Sequence, residues 1–134
     1  LDEFNKQVNS GSLRHVGLPE SVYFIAAKLR WDLDEVSESI EPVIVEGGVQ
    51  GVCQVAIGSA ANVPKITLRF VAAVNQTSPE DRIIINGDAG YEVSISPPVN
   101  GDVATAAVVV NSIRSLMLAE PGLRVMSDLA PVSV

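Results

Sequence analysis

Apolar positions recur along this chain at two spacings, and the spacing changes more than once. Leu1, Phe4 and Val8 fall at i, i+3 and i+7, with Asp2 and Glu3 at the end that a helix dipole favours and Gly11 as a stop. They predict a short amphipathic helix. Pro19 suits the first position of a second helix, whose buried face is Val22, Ile25, Ala26 and Leu29, with Glu20 early and Lys28 and Arg30 late. Residues 31–46 fit both periods. Leu33, Val36 and Ile40 match a helical face, whereas Val36, Glu38, Ile40 and Pro42 share one face of a strand. The run Pro42-Val43-Ile44-Val45 favours an edge strand that starts after Asp34.

Gly47-Gly48 breaks the chain. Residues 49–57 and 66–74 then predict two strands joined through 58–65, with Asn62 and Pro64 in the turn. Residues 83–85 and 91–95 predict a second hairpin around Asn86-Gly87-Asp88, because Asn-Gly favours a tight turn. Pro97-Pro98 ends that strand. Residues 101–123 hold the longest helix, with Asp102 placed to cap its first turn and Glu120, Pro121 and Gly122 as stops. Three consecutive valines favour a strand there, but the length and the two clear ends decide for a helix. From 103 to 110 it is apolar on every side except at Thr105, so it calls for cover all round. The tail from Leu123 has one short turn and then Pro131, running over the surface.

The sum is α+β: a mainly antiparallel sheet of about five strands with helices on one face. On residues 66–74, Ile66, Leu68, Phe70, Ala72 and Val74 share one face and Thr67, Arg69, Val71 and Ala73 the other. On the partner strand Val52, Gln54 and Ala56 oppose Cys53, Val55 and Ile57. A face leaving Val71, Ala73, Val55 or Gln54 exposed would be sticky. A partner domain or subunit is therefore expected to cover it, most simply in a two-fold homodimer.

Composition narrows the picture. A length of 134 residues suits one domain, and 47% apolar residues argue for a packed core over disorder. Aromatics are only 4%, so that core is aliphatic. A net charge of −7 argues against a nucleic-acid partner. The apolar run of the long helix is too short for a membrane span and is broken by Asn111 and Arg114. One cysteine, Cys53, leaves no internal disulfide and no cysteine-rich zinc site, and reads as a small core hydrophobe. Asn75-Gln76-Thr77 matches a glycosylation sequon, a pattern common by chance; with no signal peptide, a cytoplasmic location is expected. The chain opens on Leu1 and directly on helical periodicity, which suggests a piece of something longer.

The chemistry is sparse. There is no Gly-x-Gly-x-x-Gly after a strand, no phosphate-loop lysine motif and no Gly-x-Ser-x-Gly elbow. One histidine and one cysteine cannot build a Ser-His-Asp triad or a histidine-rich metal site. His15, in a loop before a helix start, is either a surface or structural residue or a group that orients substrate or transfers a proton. Thr105 either bonds back to the preceding turn or faces a ligand at the positive helix end. Arg14, Arg69 and Arg114 could each hold a carboxylate, though solvated or paired arginines are commoner. Five acids between Asp32 and Glu41 read as a solvated face, with a divalent-metal site as the lesser alternative. No active site is complete, and the residues by themselves name no reaction.

The order of residues adds to this. The segments His15-Val16-Gly17-Leu18-Pro19-Glu20-Ser21 and Ser39-Ile40-Glu41-Pro42-Val43-Ile44-Val45, and the stretch from Gly101-Asp102-Val103-Ala104-Thr105 through Asn111-Ser112-Ile113 to Ala119-Glu120-Pro121-Gly122-Leu123, resemble the C-terminal part of dihydrodipicolinate reductase-like proteins. The resemblance is to the branch of diaminopentanoate dehydrogenases and native amine dehydrogenases. It runs over nearly the whole chain, and its last segment is the most specific. It implies a Rossmann domain binding NADH or NADPH in the full-length protein, ahead of this region. It also implies an α+β domain that closes over the nicotinamide, lines the substrate pocket and carries a dimer contact. The implied reaction is hydride transfer between the cofactor and an imine or amine carbon of a small molecule. His15 and Thr105 map onto pocket positions, and Asn111 onto a cap or pocket position. The histidine-rich and Lys/Ser-Gly-Thr segments of true dihydrodipicolinate reductases are absent, Arg114 stands where the family tends to place a proline, and the helix and strand that begin the family's domain do not precede Leu1. These residues alone are expected to bind no cofactor and to turn nothing over. The competing reading is a free-standing, non-catalytic module for dimerisation or small-ligand binding.

Overall fold

The computed structural model describes residues 1–130, which fall into two units, Leu1–Asn75 and a second from Gln76 onward. The first unit opens with helix α1 (Asp2–Asn9), whose Phe4 is buried, and helix α2 (Gly17–Leu29). α2 starts two residues before the expected proline and ends on Arg30 in the left-handed region. Strands β1 (Glu35–Val45), β2 (Gly48–Ala60) and β3 (Val63–Ala73) form an antiparallel sheet in the order β1-β2-β3. The reading of residues 35–45 as an edge strand holds, with Val36, Glu38, Ile40 and Pro42 on one face as the alternation requires.

The turn between β2 and β3 is tighter than expected. Ala61 and Asn62 both have positive φ, at 50° and 60°, as a two-residue hairpin of the right twist requires. The Asp34 carboxylate accepts the Ala61 N–H. Pro64 lies in β3, opposite Ser59, where the register slips between Gly58 and Ser59. An edge strand at a bulge tolerates a residue with no N–H to donate.

α2 packs on the inner face of this sheet. Leu18, Val22 and Ala26 meet Ala56 and Ile66, and Ile25, Leu33, Val36, Leu68 and Phe70 pack around them. Leu29, expected on the buried face, is exposed. Gly58 permits the close approach: a Cβ there would stand 2.6 Å from Val22 Cγ1 and 2.7 Å from Leu33 Cδ1. The outer face carries Glu35, Ser37, Ser39 and Glu41 on β1, then Cys53, Val55 and Ile57 on β2, then Thr67, Arg69, Val71 and Ala73 on β3. Cys53 is therefore a half-buried residue of that face and not a core residue. Gln54 belongs to the opposite face and is fully buried.

The second unit holds strands β4 (Asp81–Ile85) and β5 (Tyr91–Ile95), paired with each other around the Asn86-Gly87-Asp88 segment. The expected sheet of about five strands is thus one of three and one of two. Hairpin pairing follows from local turn chemistry, whereas joining two hairpins is a tertiary matter that alternation does not encode. Arg82 and Glu92 form an ion pair at 2.7 Å across β4 and β5, and the hydrogen bond and charge of Glu92 raise the Arg82 guanidinium above its ordinary range. Ser94 donates to Glu80, and the Val99 N–H donates to the Asp81 carboxylate.

Helix α3 (Gly101–Met117) follows. Its N-cap is Asn100, whose side chain accepts the Val103 N–H at 3.1 Å, and not Asp102, which lies inside the first turn. The helix ends earlier than the Glu120-Pro121 stop, and Arg124 donates to the Glu120 carbonyl from Nε and Nη2, at 2.8 and 2.6 Å. No residue of α3 is buried; Val103, Val109 and Val110 are each at least 60% exposed. The expectation of cover all round fails among the described residues. An apolar surface states that cover is needed, not which group of atoms supplies it. One 3-10 turn follows at Met126–Asp128, and Pro131 lies outside the described residues. Among the described residues no helix is long and apolar enough to cross a membrane.

Candidate functional site

Among the described residues, a polar arrangement around an expected site residue is built in the first unit, around His15. The loop from Ser12 to Val16 joins α1 to α2 without pairing to a strand. A side chain supplies that pairing instead. Gln54, at the centre of β2, points to the inner face and is wholly buried. Its Oε1 accepts the His15 N–H at 2.7 Å, and its Nε2 donates to the His15 carbonyl at 2.9 Å. The second Nε2 hydrogen goes to Glu38 Oε1 on β1, at 2.6 Å. The other Glu38 oxygen, Oε2, pairs with Arg14 Nε at 2.9 Å. Every polar group of the amide is therefore used, as a buried amide must be.

This ladder runs Arg14, Glu38, Gln54, His15. It begins and ends on consecutive residues of one loop, so the loop is held at both. Turning the amide over would set Nε2 against the His15 N–H and Oε1 against a carboxylate, so its orientation is determined. The His15 ring leans on Phe70 of β3, with centroids 4.7 Å apart and planes inclined at 41°. Its other neighbour is Gly17, where a Cβ would lie 3.6 Å from His15 Cε1. The residue remains exposed, and among the described residues no group bonds to its ring nitrogens. A side chain held by its main chain and one ring face, with free nitrogens, can meet a ligand in a set direction.

Thr105 and Asn111 both lie on α3, in the second unit, and are exposed. They stand six positions apart, which is roughly 9 Å along the axis and about 120° around it. They do not share a face of the helix. Among the described residues Thr105 makes no bond back to the preceding turn; the hydroxyl that does so is Ser112, to the Val109 carbonyl at 2.8 Å.

The acidic run resolves into separate tasks. Asp34 holds the β2–β3 turn, Glu38 belongs to the ladder, and Glu35 and Glu41 lie on the outer face. Among the described residues no group of three or more His, Cys, Asp or Glu could hold a metal ion. Arg14 is the paired arginine of its expected trio. The exposed-face expectation includes Gln54 among the sticky positions, yet the alternation Val52, Gln54, Ala56 sets it among apolar neighbours of the inner face. A lone polar residue in that pattern is the signal for a buried amide with partners elsewhere.

An open apolar groove of about 570 Å³ lies between α1 and the sheet, lined by Leu1, Phe4, Leu13, Val49, Val52 and Ala72 among others. His15 is not part of its lining.

Comparison with known proteins gives two agreeing matches. The family described as 2,4-diaminopentanoate dehydrogenase C-terminal domain matches residues 1–134, the entire chain. A 2,4-diaminopentanoate dehydrogenase of Acetoanaerobium sticklandii is 33% identical over 96% of this chain. The chain spans 42% of that relative's length.

Proposed function

The chain belongs to the 2,4-diaminopentanoate dehydrogenase C-terminal domain family, and from that premise we propose that it is the substrate-side and subunit-contact domain of an oxidoreductase. In this reading the full-length protein uses NADH or NADPH and transfers hydride to or from an imine or amine carbon. The observation that carries the proposal is the family match over the whole chain. The held, outward-facing His15 is consistent with it.

A dinucleotide is commonly held on a strand, a glycine-rich loop and a helix of a parallel sheet. Both described sheets are antiparallel, and their consecutive strands are joined by hairpin turns. The described residues thus do not fit the pyrophosphate of such a cofactor, and this reading assigns that task to another part of the protein. What these residues contribute is orientation of the other reactant. His15 offers ring nitrogens that can donate or accept a hydrogen bond. Thr105 offers a hydroxyl in the early turns of α3, and Asn111 an amide further along it. The relative's name specifies a diamino acid, so 2,4-diaminopentanoate is the first substrate to try. The outer face of the three-stranded sheet, apolar at Val55, Ile57 and Val71, is assigned to a homodimer contact.

The test is an assay of the full-length protein. Reduction of NAD or NADP, followed by absorbance, is expected on adding 2,4-diaminopentanoate. No reduction with this or other amines would return the chain to the class of non-catalytic modules. Residues 1–134 on their own are expected to show none, and turnover by them would contradict the division of labour.

A further inference from the structure

We propose that Gln54 is the positioning residue of this site, holding His15 for substrate through both of its main-chain groups. The proposal rests on reading His15 as a substrate-side residue and adds what sets its direction. Three observations carry it. Gln54 is completely buried, although a polar side chain at the centre of a strand gains nothing from burial unless it is bonded. It makes the two hydrogen bonds that a neighbouring strand would make, to the N–H and the carbonyl of His15, which lies 39 positions away in sequence. Its remaining hydrogen is taken by Glu38, itself held by Arg14, so the amide cannot turn over and release either bond. The ring of His15 then leans on Phe70.

The chemical consequence is directional. A side chain on an unpaired loop samples many rotamers and main-chain positions, and each must be lost when substrate binds. Fixing the main chain beforehand removes part of that loss. Gln54 touches no substrate in this account; it acts through His15. Glu38 and Arg14 are the outer members of the same device, and the truncation of either is expected to have a smaller effect than that of Gln54.

The test uses the full-length protein with 2,4-diaminopentanoate. Gln54→Met keeps the length of the side chain and removes its amide. It is expected to raise KM by about tenfold, within the range that a small misplacement of a binding group produces, with kcat changed less. In a protein already carrying His15→Ala, the same substitution is expected to change KM no further. Hydrogen–deuterium exchange at the His15 amide is expected to quicken with Gln54→Met. An equal loss in both backgrounds, or unchanged exchange at His15, would overturn the proposal. If His15→Ala leaves the kinetics unchanged, the substrate reading of His15 falls and the proposal falls with it. If His15→Ala raises KM and Gln54→Met does not, the proposal alone falls.

Should Gln54→Met not fold, Gln54→Glu serves. It keeps an acceptor for the His15 N–H but sets a carboxylate oxygen against Glu38 and the His15 carbonyl. KM is expected to rise, and adding Glu38→Gln, which returns a donor to the pair, is expected to recover part of it. Failure of that recovery would count against the ladder.

Discussion

Gly58 and Gly51 sit on the same strand and are crowded for different reasons, which separates their expected costs. At Gly58 an added methyl would meet the side chains of Val22 and Leu33, which would have to shift within the core. At Gly51 it would overlap the main chain of Ala72 and Ala73 on β3, which cannot move without breaking the sheet. Gly58→Ala is expected to destabilise by about 1–3 kcal/mol, and Gly51→Ala by more, in urea unfolding of the full-length protein. His15→Ala is expected to raise KM for the amine substrate or to lower kcat, with little change in the unfolding midpoint, because its ring is exposed. His15 could be picked out by residue type, being the one histidine of the chain. The importance of Gln54 was not legible in that way. An amide has no distinctive chemistry, and its partners lie 16 and 39 positions off in sequence.

The elements themselves were largely legible. α1, α2 and the five strands follow from periodicity, turn residues and Pro or Gly punctuation, all of which act over a few residues. The errors are errors of ends. Asn100 caps α3 because its side chain reaches the Val103 N–H, three positions on, while Asp102 is already inside the helix. Asn100→Ala is therefore expected to cost about 1 kcal/mol, independent of salt. Asp102→Ala acts through the helix dipole and should cost about 0.3–1 kcal/mol at low ionic strength, fading as salt is added. Thermal unfolding at two salt concentrations distinguishes them. The β2–β3 turn offers the opposite sign. Ala61 is held at a φ of 50°, which glycine adopts without a steric penalty. Ala61→Gly is expected to stabilise, or at worst to be neutral, by up to about 1 kcal/mol, because relief of that strain competes with the greater freedom glycine gives the unfolded chain.

At the scale of the molecule, apolar residues outside the core include the half-buried Val55, Ile57 and Val71 on the outer face of the three-stranded sheet and the exposed Val109 and Val110 on α3. If the sheet face is the subunit contact, Val71→Glu should convert a dimer to a monomer in sedimentation of the full-length protein. An unchanged dimer would move the contact elsewhere. The pair Val109→Ser and Val110→Ser should lower the melting temperature of the full-length protein, whereas substitutions on a freely solvated helix would leave it within about 0.5 kcal/mol of its starting stability. By itself the sequence determined what is local: helix and strand periods and the faces of each strand. These rest on side-chain spacing and main-chain sterics, which short stretches settle. Tertiary structure decided what is distant: that the strands divide into three and two, that Gln54 reaches across the inner face to the loop of His15, and that α3 stays uncovered among the described residues. Those outcomes depend on which surfaces meet, and a pattern of apolar positions is compatible with many pairings until packing chooses one.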